Sequence, residues 1–421
     1  MGDDQTRNTL SETDTLNLPI LIIGGGISGI TTAVELAEAG QEVVLIEKEN
    51  YLGGNVSHFN NYFPKLCPPS CGLEINYQRI RSNPRISYYT GASLKNICGT
   101  DGDFMVTIQL KPRLINNSCT SCGKCAEVCP EERPAKLGRT AGEKAAFINN
   151  GLAFPMKYCI DPEVCKREAC ARCLEVCDYN AIQLDASPAE VGIQAGKIIV
   201  ATGWTLYNAA LIENYRYSEE SDVVTNVEFE RMLAACTREK TKLTRPSDGL
   251  TPRRIAFVQC AGSRDINHLP YCSAVCCSAS LKHALTLEVE YPEIEAEIFY
   301  IDMRLSGRNE KLLKQAEEKE RITLTKGKVG RILPWDQEKG LVLEVEDISS
   351  GCKRQDAYDM VVLAMGLTPT PVAAGLKVNE YGFYLSNQPS GLIPTASCKR
   401  PMDVSSSVKD ATASALKAMQ R

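Results

Sequence analysis

Residues 19–23 (PILII) form a short, wholly apolar run that leads into glycines. A run of that length, rich in branched side chains and closed by a turn signal, predicts a strand buried on both faces. Residues 30–39 then return apolar side chains at helical spacing as far as Gly40, and residues 42–46 are a second apolar run ending at Glu47. Together these predict a βαβ unit. Similar runs recur at 197–202 (KIIVAT), 254–259 (RIAFVQ), 297–301 (EIFYI) and 359–366 (DMVVLAMG), and residues 273–290 have helical spacing. Short apolar runs alternating with helical stretches predict an α/β chain with parallel sheets. Residues 308–321 (RNEKLLKQAEEKER) mix both charge signs at helical spacing, which predicts a solvated helix face.

No apolar run reaches ~18 residues, so no membrane span is expected. The first 17 residues (MGDDQTRNTLSETDTLN) are polar and acidic, which predicts a disordered tail and not a leader peptide. With 421 residues, 43% hydrophobic and 24% charged, the chain is an ordinary globular one with room for two or three cores. A net charge of −5 gives no electrostatic footprint for nucleic acid. Nineteen cysteines are the departure from the ordinary. Without an export signal, metal or redox use is the expectation over disulfides.

Gly24, Gly26 and Gly29, with Ser28 between, read G-x-G-x-x-G inside the βαβ context. Such glycines let backbone amides and a helix N-terminus meet a pyrophosphate, and Glu47 at the second strand's end suits ribose hydroxyls. Lys48 follows Glu47, and Gly53-Gly54 comes shortly after. This continuation resembles the flavoprotein disulfide-reductase superfamily, which implies FAD, with Gly53-Gly54 near its diphosphate. The runs ending at Thr202-Gly203 and at 366–369 would then close the FAD and nucleotide domains. By the same resemblance, residues 393–415 supply the last flavin contacts, with Lys409 facing the ring.

A thioredoxin-reductase-like chain carries an NAD(P)H domain between those two strands. Here the place of its glycine loop reads Gln259-Cys260-Ala261-Gly262-Ser263, with one glycine left. Side chains at the missing positions would block a pyrophosphate, so NAD(P)H is not expected as the electron donor. Cys260, Cys272, Cys276 and Cys277 surround the vacated loop and the following helix start. Four thiolates there suit a [4Fe-4S] cluster; a zinc site and inert buried cysteines are the alternatives.

Cys119, Cys122, Cys125 and Cys129-Pro130 read C-x2-C-x2-C-x3-C-P, and Cys165, Cys170, Cys173 and Cys177 read C-x4-C-x2-C-x3-C. Two such runs predict a two-cluster ferredoxin in which each fourth cysteine crosses over. One [4Fe-4S] cluster takes Cys119, Cys122, Cys125 and Cys177, the other Cys165, Cys170, Cys173 and Cys129. Cys159 has no assigned role.

With these parts in one chain, the sequence resembles the flavin-bearing A subunits of heterodisulfide reductase and their relatives. The resemblance rests on the Gly24/Gly26/Gly29 loop, residues 63–73 (FPKLCPPSCGL), the cysteine runs and residues 259–277. The family's further N-terminal domain and C-terminal ferredoxin have no match here. The shorter form resembles the corresponding flavin subunit (QmoA) of the quinone-interacting membrane-bound oxidoreductase (Qmo) complex of sulfate reducers. That implies three partners: adenylylsulfate reductase, a second flavin/iron–sulfur subunit (B) and a haem-bearing membrane subunit (C). It also implies a cytoplasmic chain attached to the membrane only through those partners. In heterodisulfide reductases, a set like Cys260, Cys272, Cys276 and Cys277 binds a third [4Fe-4S] cluster. Cys67 and Cys71 are a redox pair, cluster ligands at a contact between subunits, or idle.

The expected architecture is a thioredoxin-reductase-like α/β flavoprotein of two dinucleotide-type domains with an inserted α+β ferredoxin. Its parts are a tail (1–17), the FAD domain (18–110, 186–205 and 367–421), the insert (111–185) and an NAD-like domain (206–366). The expected function is electron transfer between FAD and iron–sulfur clusters, in a Qmo-type complex or a heterodisulfide-reductase-type one. A stand-alone NAD(P)H-dependent flavin reductase is the alternative of another class.

Overall fold

The structure, a computed structural model, describes residues 18–133, 143–335, 340–372 and 375–420; the expected tail at 1–17 lies outside them. Its frame is a five-stranded parallel sheet in the order Leu392–Pro394, Lys197–Val200, Ile20–Ile23, Val43–Glu47, Ile86–Thr90. The central strand Ile20–Ile23 is buried along its whole length, as its uniformly apolar sequence requires. Helices Ile27–Glu38 and Val404–Met419 pack together on one face over a core that includes Ile22, Ile30, Leu36, Leu45 and Ile199. The other face holds Leu21, Ile46 and Val200, with Phe104, Val106 and Ile108 from a three-stranded antiparallel sheet.

That antiparallel sheet is Ala92–Thr100, Asp103–Leu110 and Ala189–Ala195, and the apolar-run pattern gave no sign of it. Its central strand Asp103–Leu110 alternates buried and more exposed positions, which is the period of a sheet solvated on one side. The cysteine-rich segment leaves after Leu110 and returns at Ala189, where those two residues are paired partners.

The second sheet has seven strands. Val223–Thr225, Met360–Met365, Arg254–Ala261, Glu295–Tyr300 and Ile322–Trp335 run parallel, and Gly340–Asp347 and Cys352–Tyr358 extend the sheet as an antiparallel meander. Helices Asn226–Glu239 and Cys276–Glu290 cover one face. The first begins with a capping box, in which Thr225 and Glu228 exchange bonds with each other's backbone N–H groups. Trp204–Leu206 and Leu367–Pro369 pair as a two-stranded link where the chain crosses between the sheets. Among the described residues, no helix is long and apolar enough to cross a membrane.

Candidate functional site

Strand Ile20–Ile23 ends at Gly24, whose φ of +109° turns the chain. Helix Ile27–Glu38 starts three residues later from Gly26, with no side chain capping its first turn. Its free N–H groups and positive end face a cleft of about 1530 Å3 and suit an anion. A Cβ on Gly26 would meet only Gly54 Cα, at 3.9 Å, so the space beside Gly26 belongs to the cleft. A Cβ on Gly29 would lie 1.8 Å from the Gly24 carbonyl oxygen, so this glycine lets the helix close on the strand.

Ser28, Glu47, Lys48, Gly54, Thr202 and Gly203 also line the cleft. Gly53 stands behind them, its N–H donating to the Gly25 carbonyl at 2.8 Å. The Glu47 carboxylate accepts from Gly25 N–H at 2.7 Å and from Glu49 N–H at 2.8 Å. Burial pushes its carboxyl above the usual range, and those two bonds pull the other way. Each oxygen keeps a lone pair for a hydroxyl donor.

Lys409 is a correction. It is exposed on helix Val404–Met419 and stands off the cleft, whose wall here is Asp403, Val404 and Ser407. The residues of this helix that meet the cleft, Val404 and Ser407, precede Lys409. Its neighbour Asp410 is occupied structurally, accepting from Ala396 N–H at 2.6 Å and pairing with Lys399 at 2.8 Å. Cys67 and Cys71 also lie off the cleft, Cys67 half-buried and Cys71 exposed at the start of helix Ser70–Ser82.

The opposite wall carries residues that sequence reasoning missed. Glu230 accepts from Lys282 and His283 through one oxygen and from the N–H of Asn60, at 2.7 Å, through the other. Lys282 also donates to the Asn61 carbonyl at 2.9 Å. All three side chains are buried, which ties the second sheet's helices to the loop after Gly54. Lys282 and His283 hold the Glu230 carboxyl far below its usual range, against its burial. The signal in the sequence was Lys282-His283 among the small and apolar residues that open helix Cys276–Glu290. Arg231, one residue on, also lines the cleft, and its buried Nε has no hydrogen-bond partner. Together with the Gly26 space and the open helix end, that orphaned guanidinium nitrogen suits a diphosphate-bearing cofactor such as FAD.

Cys119, Cys122, Cys125 and Cys177 line one small cavity of the cysteine-rich segment. Cys165 and Cys173 lie close to each other and to Cys129 and Cys170. Backbone N–H groups point at the sulfurs, from Ser121 to Cys119 at 3.4 Å and from Arg167 to Cys165 at 3.3 Å. Burial, aided by neighbouring thiolates, pushes the Cys125 thiol up to about 12. A thiol held there ionises only against a compensating positive charge, as a bound cluster supplies. Cys159, which neither cysteine motif uses, accepts from Asn149 Nδ2 at 3.6 Å, and burial raises its thiol.

The four cysteines after the second strand also come together. Cys276 and Cys277 open helix Cys276–Glu290, and Cys276 lies near Cys277, Cys260 and Cys272. Cys260 holds the left-handed backbone, φ +57°, where a register shift breaks the strand pairing. Arg264 reaches Cys260 at 3.9 Å while paired with Asp302. His268 bonds Tyr207 at 3.0 Å. Among the described residues, no three His, Cys, Asp or Glu side chains converge as a single metal ion needs.

Residues 19–100 match the family described as FAD dependent oxidoreductase. The chain is 34% identical over 417 residues to the A subunit of the H(2):CoB-CoM heterodisulfide,ferredoxin reductase of Methanothermobacter thermautotrophicus, covering 94% of this chain and 63% of that one. It is 36% identical over 382 residues to the iron-sulfur A subunit of the CoB--CoM heterodisulfide reductase of Methanocaldococcus jannaschii, covering 88% and 57%. The chain thus spans about three fifths of the length of these curated relatives. In fold it is similar to the thioredoxin reductases of T. acidophilum (TM-score 0.51, 14% identity, 95% of this chain and 96% of that one) and Lactococcus lactis (TM-score 0.52, 13%, 95% and 97%). These findings give the chain a thioredoxin-reductase-like fold whose first part matches an FAD-dependent oxidoreductase family. They make the chain a homologue of the A subunits of heterodisulfide reductase, 31–36% identical to such proteins over most of its own length.

Proposed function

We propose that this chain is an electron-transfer subunit of the heterodisulfide reductase A type, exchanging electrons between an FAD in the Gly24–Gly26–Gly29 cleft and iron–sulfur clusters that lead to partner subunits. The observation that carries this reading is the shared wall: residues 148–152 of the cysteine-rich segment line the same cleft as the glycine loop. FAD takes up electrons in pairs and releases them singly, which one-electron clusters need. In this reading the backbone from Gly24 to Ser28 and Gly54 hold the diphosphate. Glu47 takes the ribose, and Thr202-Gly203 and the turn at Asp403 close the far end. Cys119, Cys122, Cys125 and Cys177 hold one [4Fe-4S] cluster and Cys129, Cys165, Cys170 and Cys173 the second. Cys260, Cys272, Cys276 and Cys277 hold the third.

The Qmo assignment gives way to the heterodisulfide reductase type. It rested on which flanking domains lack a match, whereas the 31–36% identities are with heterodisulfide reductase subunits. The quinone-linked partners, the membrane attachment and adenylylsulfate reductase belong to that assignment and are not proposed. Partner subunits as such are, because the relatives are themselves named as subunits.

The test is anaerobic purification with measurement of iron, acid-labile sulfide and FAD, followed by addition of NADH or NADPH. About twelve iron per FAD is expected, from three four-iron clusters, and no bleaching of the flavin. About eight iron would remove the third cluster. Rapid bleaching would replace this reading with that of a stand-alone NAD(P)H-dependent flavin reductase.

A further inference from the structure

The wall formed by residues 148–152 lies within a hairpin whose strands are Ala146–Phe147 and Cys159–Ile160. Its tip grips the flavin side at two points. The Phe154 carbonyl accepts from Leu52 N–H at 2.7 Å, and the Phe154 ring stacks on Tyr77 with centroids 5.0 Å apart. Asn150 Nδ2 donates to Ser57 Oγ at 3.2 Å, and that hydroxyl donates to the Gly54 carbonyl at 2.8 Å. Asn150 Oδ1 accepts from Leu152 N–H at 2.8 Å, which fixes the amide. Leu52 and Ser57 bracket Gly53-Gly54, the pair that closes on the glycine loop. Gly53 N–H reaches the Gly25 carbonyl at 2.8 Å, and a Cβ on Gly54 would sit 2.8 Å from Gly26 Cα. The hairpin therefore clamps both ends of the segment lying against the glycine loop.

Its base stands in the cysteine core. Ala146 and Ile160 pack in one cluster with Cys125, against half-buried Cys119, Cys129, Cys165, Cys173 and Cys177. Ala145 N–H donates to the Glu131 carbonyl at 2.8 Å, two residues past Cys129. Cys165 N–H donates to the Asp161 carbonyl at 3.0 Å, one residue past the second strand.

We propose that this hairpin is a strut common to two binding sites, forming part of the flavin site at its tip and of the cluster framework at its base, so that flavin binding and cluster retention stabilise each other. The inference rests on reading the cleft as an FAD site and the eight cysteines as cluster ligands. A hairpin of two-residue strands has little stability of its own. Whichever ligand is bound orders it for the other, and such coupling acts equally in both directions.

The reciprocal direction needs no mutation. Iron release from the full chain to a ferrous chelator is followed anaerobically with FAD bound, with FAD stripped, and with FAD restored. Release should run several-fold faster in the stripped chain and slow again on restoration. The Cys276→Ser chain, whose iron is confined to the inserted segment, should show the same ratio. Asn150→Ala should keep its iron and bind FAD several-fold more weakly, read by flavin fluorescence. Equal release rates with and without FAD, or wild-type FAD affinity in Asn150→Ala, would overturn the strut while leaving the proposed function standing. A chain purified without flavin or without iron would overturn both.

Discussion

After strand Ile20–Ile23 the chain enters its helix through residues 24–26; after Arg254–Ala261 it takes residues 262–275 to enter the equivalent helix. The two turns occupy like places in two parallel sheets, at the ends of strands where such sheets bind ligands. The first is built from absence. Gly26 leaves open space, and the helix end meets it with unbonded N–H groups. The second is filled. A Cβ on Gly262 would lie 2.8 Å from the Tyr207 ring, Ser273 accepts from Leu367 N–H at 2.8 Å, and four thiols crowd the helix start. In the proposed function, one scaffold position thus serves an anionic dinucleotide or a set of sulfurs according to what its turn leaves vacant.

The sharpest way to break this comparison lies in the first turn itself. Gly29→Val forces a side chain onto the Gly24 carbonyl and should abolish soluble, folded protein, checked by circular dichroism of the purified fraction. Gly26→Val should fold, because its side chain enters the cleft and not the core. Crowding of that kind costs about 1–3 kcal/mol, so FAD should bind about tenfold to hundredfold more weakly. If both variants fold and bind alike, the division of labour among the glycines is wrong.

Next comes the tie between the two halves. Glu230→Gln leaves the buried Lys282 without its carboxylate and should lower unfolding stability by about 3–5 kcal/mol. Urea titration measures this, and a loss under about 1 kcal/mol would mean that the lysine finds another partner. In the second turn, Cys276→Ser should remove about four iron per chain and leave FAD content unchanged. Unchanged iron would return these cysteines to a packing role.

The smallest expected effect is on pH. Burial holds His283 below its usual range, and its buried Nδ1 has no acceptor for the N–H that protonation would create. The unfolded chain takes up a proton near pH 6.5 that the folded chain refuses, so stability should fall as pH drops below that value. The slope approaches about 1.4 kcal/mol per pH unit. Unfolding of wild type and His283→Gln, compared at about pH 7.5 and about pH 5.5, on either side of that titration, checks the sign. An identical pH dependence would show that His283 accepts the proton in place.

Features that are local in sequence were legible. The G-x-G-x-x-G turn needs residues within six positions, and the cysteine spacings announce themselves. The lone glycine at Gly262 marked the second turn as altered. What was hidden depends on distant partners. Glu230, Lys282 and His283 come from two helices and meet only through packing. Asn150 has no motif around it, and its use comes from Ser57, far back in the chain. Lys409 was misplaced because a helix presents a different face with each residue of offset. The antiparallel strands at Ala92–Leu110 were invisible to a search for unbroken apolar runs, because a sheet wet on one side alternates.

The cysteine-rich segment departs after Leu110 and comes back at Ala189, two residues that face each other on adjacent strands of one ladder. Seen as history, that doorway is one rung wide. A flavoprotein ancestor with an ordinary hairpin there can gain a whole module in a single genetic event, and no strand changes its pairing. The reverse event is not symmetric. Because Phe154 and Asn150 of that module hold Leu52 and Ser57, excision would also remove hydrogen bonds from beside the glycine loop. A module joined through so narrow a doorway is simple to add and, through the contacts it forms on the other side, costly to remove.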